Sequence, residues 1–160
     1  MGDKKKGINV LFLEDDASTY YYLVEDLEEE GFDVDVATNI ARARTLWETK
    51  RIDFIIADLN MPPRGLENAE ITQTGDGKLT GWIYLDKYVY SVKPVMKERT
   101  IILSAYINEL KKRTNDGKEL EGIKLITKRR DEADEDEMND VKEALKEMAN
   151  KLGRREDGKK

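Results

Sequence analysis

Five short apolar runs recur along this chain, each followed by a stretch with helical periodicity, and that alternation limits the fold more than any other feature. Residues 8–13 (INVLFL) and 52–57 (IDFIIA) are bounded by charge and read as buried strands, the second being the strongest in the chain. Val34 and Val36 alternate with acids, as in a half-exposed edge strand. Residues 100–103 and 123–127 supply a fourth and a fifth strand.

The helical stretches have their own signals. After Ala17-Ser18-Thr19, the positions Tyr20, Leu23, Val24 and Leu27 share one face, and Gly31 supplies the stop. Thr38 or Asn39 can cap a second helix carrying Ile40, Ala43, Leu46 and Trp47. Residues 64–78 are polar and glycine-containing and read as a long loop. Thr80 is then the expected cap of a third helix with Trp82, Leu85, Val89, Val92 and Met96 on one face, which Pro94 should kink or shorten. A short helix over residues 107–112 ends near Asn115-Asp116-Gly117. The last helix carries Met138, Val141, Leu145, Met148 and Leu152 behind an acidic prelude at 131–137, where a helix N-terminus favours negative charge. The expectation is an α/β fold: a doubly wound, five-stranded parallel sheet flanked by five helices. It forms one domain over residues 7–152, with polar tails at 1–6 and 153–160.

Two absences restrict the chemistry. With no cysteine and no histidine, disulfides, thiolate nucleophiles, Ser-His-Asp triads and His- or Cys-liganded metals are all excluded. What remains is carboxylates, hydroxyls, Lys, Arg and any hard cation that oxygen can hold. A net charge of -6 argues against a basic nucleic-acid-binding face. No apolar run approaches the roughly 18 residues that span a bilayer, and a cytoplasmic protein with no membrane partner is expected.

In a doubly wound sheet the ligand sits beyond the carboxyl ends of the strands, at the point where strand order reverses. Asp15 and Asp16 follow the first strand, Asp58 the third, Ser104 closes the fourth, and Lys128 follows the fifth. Three clustered carboxylates repel one another and call for a cation; with oxygen ligands alone, Mg2+ is the natural occupant. A carboxylate beside Mg2+ is a competent nucleophile toward phosphorus. The metal and Lys128 would spread charge on the transferring oxygens.

Leu13-Glu14-Asp15-Asp16, Asp58-Leu59-Asn60-Met61-Pro62, Ser104-Ala105 and Thr127-Lys128 resemble the signature of bacterial response-regulator receiver domains, in that family's order, from about Ile8 to Leu152. The resemblance implies a flavodoxin-like receiver fold in a two-component or phosphorelay system. It makes Asp58 the phosphoacceptor, with Asp15 and Asp16 as the acidic pair on Mg2+ and Asn60 lending the metal its backbone carbonyl. Ser104 would hydrogen-bond the phosphoryl group, and Lys128 would be its cationic partner. The implied partners are a histidine kinase or histidine phosphotransfer protein and a downstream protein target, since the apolar pattern shows no output domain after Leu152. In this reading the protein catalyses its own phosphorylation and dephosphorylation and little else.

The sequence departs from the family pattern in four places. Arg129 stands where the family usually has a proline in a cis peptide; a cis bond to Arg would cost about 3–4 kcal/mol, so either that bond is cis or Lys128 is aimed differently. Leu125 replaces the usual aromatic switch residue. The interval from Asp58 to Ser104 is longer than the family norm, with the excess in residues 64–78. Tyr106, at the mouth of the site, is expected to restrict the attacking water. Two other functions fit parts of the pattern: a pseudo-receiver acting as a phosphorylation-independent binding module, and a Toprim-type magnesium-dependent nuclease, for which Asp58-Leu59-Asn60 supplies one acid too few. The Gly75-Asp76-Gly77-Lys78 segment is a turn and lacks the frame of a P-loop.

Overall fold

The computed structural model describes residues 7–129 and 134–157, the last four by backbone alone. The expected tail at 1–6, residues 158–160 of the tail expected at 153–160, and residues 130–133 lie outside the described residues, whereas 153–157 are helical. The strands are β1 (Asn9–Leu13), β2 (Asp33–Ala37), β3 (Phe54–Ala57), β4 (Thr100–Ser104) and β5 (Lys124–Thr127). The α-helices are α1 (Tyr21–Glu29), α2 (Ile40–Thr49), α3 (Asn68–Ile71), α4 (Thr80–Tyr84), α5 (Ile107–Arg113) and α6 (Glu135–Asp157). All strand pairings are parallel, in the order β2-β1-β3-β4-β5.

The sheet is buried on both faces, which is why its central strands are continuously apolar. Alternate residues serve opposite cores. Leu11, Leu13, Ile55, Ala57 and Ile102 pack with α2, α4 and α5. Val10, Phe12, Phe54, Ile56, Ile101 and Leu103 pack with α1 and α6. Truncating one such residue to Ala removes about 2–5 kcal/mol from a total that for domains of this kind is about 5–15 kcal/mol. β2 is the edge strand expected from its alternating acids, and Val34 and Val36 are half-buried.

Most local signals act as their chemistry suggests. Asn39 Oδ1 accepts from the Arg42 N–H at 2.8 Å and caps α2. Gly31 takes a φ of +100° after α1. Asn115, Asp116 and Gly117 all adopt positive φ beyond α5. Val141 and Leu145 are fully buried on α6, which continues past Leu152 to Asp157.

Three expectations around the middle of the chain need correction. Residues 64–78 are not a bare loop: they contain α3, and the Glu67 N–H donates to Glu70 Oε1 at 2.8 Å across its first turn. Thr80 does not cap α4; it is the first helical residue, and its hydroxyl donates back to the Gly77 carbonyl at 3.0 Å. The third long helix does not reach Met96. α4 widens into a π-helical segment at Leu85–Tyr90, and Pro94 opens a separate 3-10 turn over Pro94–Arg99. Proline cannot donate to a continuing helix and holds its predecessor extended. As a result Val92 is 74% exposed, whereas Met96 is buried within the 3-10 turn.

Candidate functional site

Register builds the site. Leu13 is paired with Ala57, so the next residues, Glu14 and Asp58, emerge side by side where the strand order reverses. The Asp58 N–H donates to the Leu13 carbonyl at 2.9 Å and the Glu14 N–H to the Ala37 carbonyl at 3.0 Å, which fixes both acids to the sheet. Asp58 Oδ1 accepts from the N–H groups of Leu59 at 2.7 Å and Asn60 at 3.3 Å. Its Oδ2 accepts from Lys128 Nζ at 2.8 Å, and the same ammonium donates to Glu14 Oε1 at 2.7 Å.

One carboxylate oxygen from each of Glu14, Asp15 and Asp58 lies within 4.8 Å of the others. The grouping is therefore Glu14, Asp15 and Asp58, where the adjacent aspartates had suggested Asp15, Asp16 and Asp58. Asp16 lines the same cleft but its carboxylate serves the chain: Oδ2 accepts from Thr19 Oγ1 at 2.7 Å and Oδ1 from Ser18 Oγ at 3.2 Å. These bonds hold the 3-10 turn Ala17–Tyr20 that precedes α1. Glu14 was overlooked because a repeated Asp is the more conspicuous pattern. The signal that identifies it is positional, since it is the first residue past its strand, as Asp58 is past its own.

Glu14 is 1% exposed. Burial and the neighbouring Asp58 charge push its carboxyl from 4.5 up to about 7, against the opposing pull of Lys128. Burial works against the Lys128 charge too, but the two carboxylates more than offset it and raise its pKa. Tyr20 lies beneath this ammonium, with Lys128 Nζ 5.0 Å from its ring centroid.

Ser104 ends β4 and is fully buried; its Oγ accepts from the Tyr106 N–H at 3.2 Å, and its carbonyl accepts from the Lys128 N–H at 2.9 Å. Ala105 and Tyr106 complete the wall of the cleft, and Asn60 stands exposed at its rim. The Lys128–Arg129 peptide is trans, as are all peptides among the described residues. Lys128 still reaches Asp58, so the missing proline does not misdirect it. The Arg129 N–H, which a proline would lack, donates to Glu137 Oε1 at 2.5 Å.

The segment between β3 and α4 braces this arrangement. The Met61 N–H donates to the Gly77 carbonyl at 3.3 Å, and Lys78 Nζ stands 5.8 Å from the Tyr106 ring centroid. Tyr88 donates its hydroxyl proton to Glu70 Oε1 at 2.6 Å, tying α3 to the π-helical segment. The cleft holds about 180 Å³, below the roughly 300–1,000 Å³ of sites for larger organic ligands. It suits a small anion and a hydrated cation. The donor set of carboxylates and carbonyls fits Mg2+ or another hard cation. No helix among the described residues is long and apolar enough to cross a membrane.

No protein-family model matches the chain, and no curated protein sequence is similar to it. Solved structures are. A response regulator receiver domain protein (CheY-like) from Methanospirillum hungatei is 19% identical, with a TM-score of 0.61 over 90% of this chain and 98% of its own. A receiver domain protein from Clostridium thermocellum is 20% identical, with a TM-score of 0.61 over 91% and 97%. The response regulator protein TrrA from Thermotoga maritima, solved in complex with Mg2+-BeF, is 20% identical with a TM-score of 0.60 over 88% and 98%. With the five-stranded parallel sheet expected from its sequence, and covering nearly all of each of these structures, the chain has the fold of CheY-like response-regulator receiver domains.

Proposed function

We propose that the chain is a phosphoacceptor receiver in a two-component or phosphorelay system, with Asp58 as the residue phosphorylated. One observation carries the reading: Asp58 is held by Lys128 beside Glu14 and Asp15, at the point where strand order reverses. The donor is a phosphohistidine on a histidine kinase or a histidine phosphotransfer protein. The target is a second protein that binds the phosphorylated form, and a cytoplasmic location belongs to the same reading.

Glu14, Asp15, Asp58 and the Asn60 backbone carbonyl would hold Mg2+, which supplies charge neutralisation on the phosphoryl oxygens when bound. This acid set replaces the Asp15 and Asp16 pair because the Asp16 carboxylate already accepts from two hydroxyls. An Asp58 carboxylate oxygen attacks phosphorus and forms the new O–P bond. The donor's P–N bond breaks, and its electron pair leaves on the imidazole nitrogen. Two backbone N–H groups on Oδ1 keep the carboxylate from rotating. Lys128 shifts its donors from the free carboxylate to a phosphoryl oxygen. The Ser104 Oγ accepts from Tyr106 and keeps its own proton to donate to the phosphoryl group. In the return reaction water attacks phosphorus, the O–P bond breaks, and Asp58 recovers its carboxylate as inorganic phosphate departs with the water's oxygen and one of its protons, the other passing to solvent.

The test is intact-protein mass after incubation with acetyl phosphate, with and without Mg2+, beside Asp58→Asn. A gain of one phosphoryl group that needs Mg2+ and is lost in the variant is expected. No gain under any condition overturns the reading in favour of a binding module that works unphosphorylated.

A further inference from the structure

The Lys128 ammonium is placed by three side chains, Glu14, Asp58 and Tyr20. It sits at the open end of β5 on a trans peptide, anchored through its backbone N–H to Ser104 and through the next N–H to Glu137. Those bonds fix its backbone, and the side chain, 13% exposed, is placed by what its ammonium meets. Two carboxylates hold the ammonium in the resting site, at 2.7 and 2.8 Å. Both are compromised during the proposed reaction. Asp58 exchanges a free carboxylate for an acyl phosphate, and Glu14 would turn toward a metal.

A third contact involves neither carboxylate. The face of Tyr20 lies 5.0 Å from Lys128 Nζ, in a part of the site where the ring is 2% exposed. The ring cannot swing away: it packs edge-on against Phe12 of β1 at 5.7 Å and an interplanar angle of 76°. Its backbone ends the 3-10 turn that Asp16 secures through Ser18 and Thr19. The attraction of an aromatic face for a cation strengthens as water is removed, and it does not depend on the ionisation of any neighbour. We propose that Tyr20 is a positioning residue, whose ring holds the Lys128 ammonium over the cleft while the charges on Asp58 and Glu14 change. The effect on phosphorylation rests on the receiver reading; the contact itself does not. The same inference gives Asp16 its place, as the residue that sets the turn carrying Tyr20.

The experiment has two arms. In the first, NMR of the unphosphorylated protein follows the Lys128 ε-methylene protons, assigned with Lys128→Met. A ring-current shift upfield of the other lysines is expected in wild type and Tyr20→Phe, and its loss in Tyr20→Leu. An unshifted signal in wild type overturns the proposal without any variant having to fold. In the second arm, phosphorylation by acetyl phosphate is timed in the two variants after circular dichroism shows that each is folded. Tyr20→Leu is expected to react roughly tenfold more slowly and Tyr20→Phe at the wild-type rate. Equal rates for wild type and Tyr20→Leu, or a Phe variant as slow as the Leu one, overturn it. If wild type takes up no phosphoryl group, the receiver reading fails while the first arm still decides the ring contact.

Discussion

A methyl group on Gly81 would stand 2.1 Å from the carbonyl oxygen of Asp58. The first turn of α4 therefore rests directly on the backbone of the residue we assign as phosphoacceptor, and the Gly81 N–H donates to the Leu59 carbonyl at 3.0 Å. Backbone cannot yield as the end of a flexible side chain can, so Gly81→Ala must push α4 off the Asp58–Asn60 turn. The expected loss is about 3 kcal/mol or more in a urea titration, with slower phosphorylation because the displaced atoms belong to Asp58 itself. Gly75→Ala is the control. Its added methyl meets nothing within 4 Å and is disfavoured only by a φ of +62°, a matter of about 1–2 kcal/mol.

Glu14, buried beside Asp58, makes stability depend on pH in a direction opposite to most carboxylates. Burial first, and then Asp58, raise Glu14 from 4.5 to about 7. Between those values the folded protein keeps a proton that the unfolded chain has released. Stability therefore falls as pH rises from about 4.5 to about 7. The group's contribution is of the order of 2–3 kcal/mol. Thermal melts in EDTA, comparing wild type with Glu14→Gln at pH 5 and pH 7.5, should show the variant gaining relative stability at the higher pH. A difference that does not change with pH would refute the assignment. If Mg2+ takes the proposed site it competes with the same proton, and its affinity should rise with pH through about 7.

How much of this could be read from the sequence depended on whether the deciding interaction was local. The runs at 52–57 and 8–13 declare buried strands by composition alone, and the sequence places Asp58 just past the end of the first. Asn39, Gly31 and Gly117 are legible because caps and left-handed positions select residues within one turn. Glu14 was harder, because what singles it out is the pairing of Leu13 with Ala57 across two strands. Residues 64–78 read as a loop for a related reason. α3 has only four residues and buries none of them, so it leaves no periodicity, and distant groups add to its local Glu67–Glu70 bond. Arg44 Nη1 donates to the Gly65 carbonyl at 3.0 Å, and Tyr88 reaches Glu70. The end of α4 turned on a balance that pattern alone misjudged: Met96 is buried as its apolar character demands, but by the turn that Pro94 starts.

Tyr106 combines these threads at the mouth of the cleft. Its N–H donates to Ser104 Oγ, its ring lines the cavity, and Lys78 from the β3–α4 segment stands over that ring. The bond to Ser104 uses the backbone, so it survives truncation of the side chain. Tyr106→Ala therefore removes the wall without removing the anchor, and the hydroxyl that would meet the phosphoryl group stays in place. Water then reaches the acyl phosphate with less obstruction. The expected result is faster loss of phosphate after the donor is removed, by at least about threefold, with the rate of phosphorylation by acetyl phosphate little changed. Following the mass of the phosphorylated protein over time measures both. Lys78→Gln should shift the lifetime in the same direction by less, because an exposed cation over a ring contributes only about 0.5–1 kcal/mol. A Tyr106→Ala protein that keeps its phosphoryl group as long as wild type would mean that hydrolysis is limited by Lys128 and the carboxylates behind it, and that the Tyr106 ring does not gate the water.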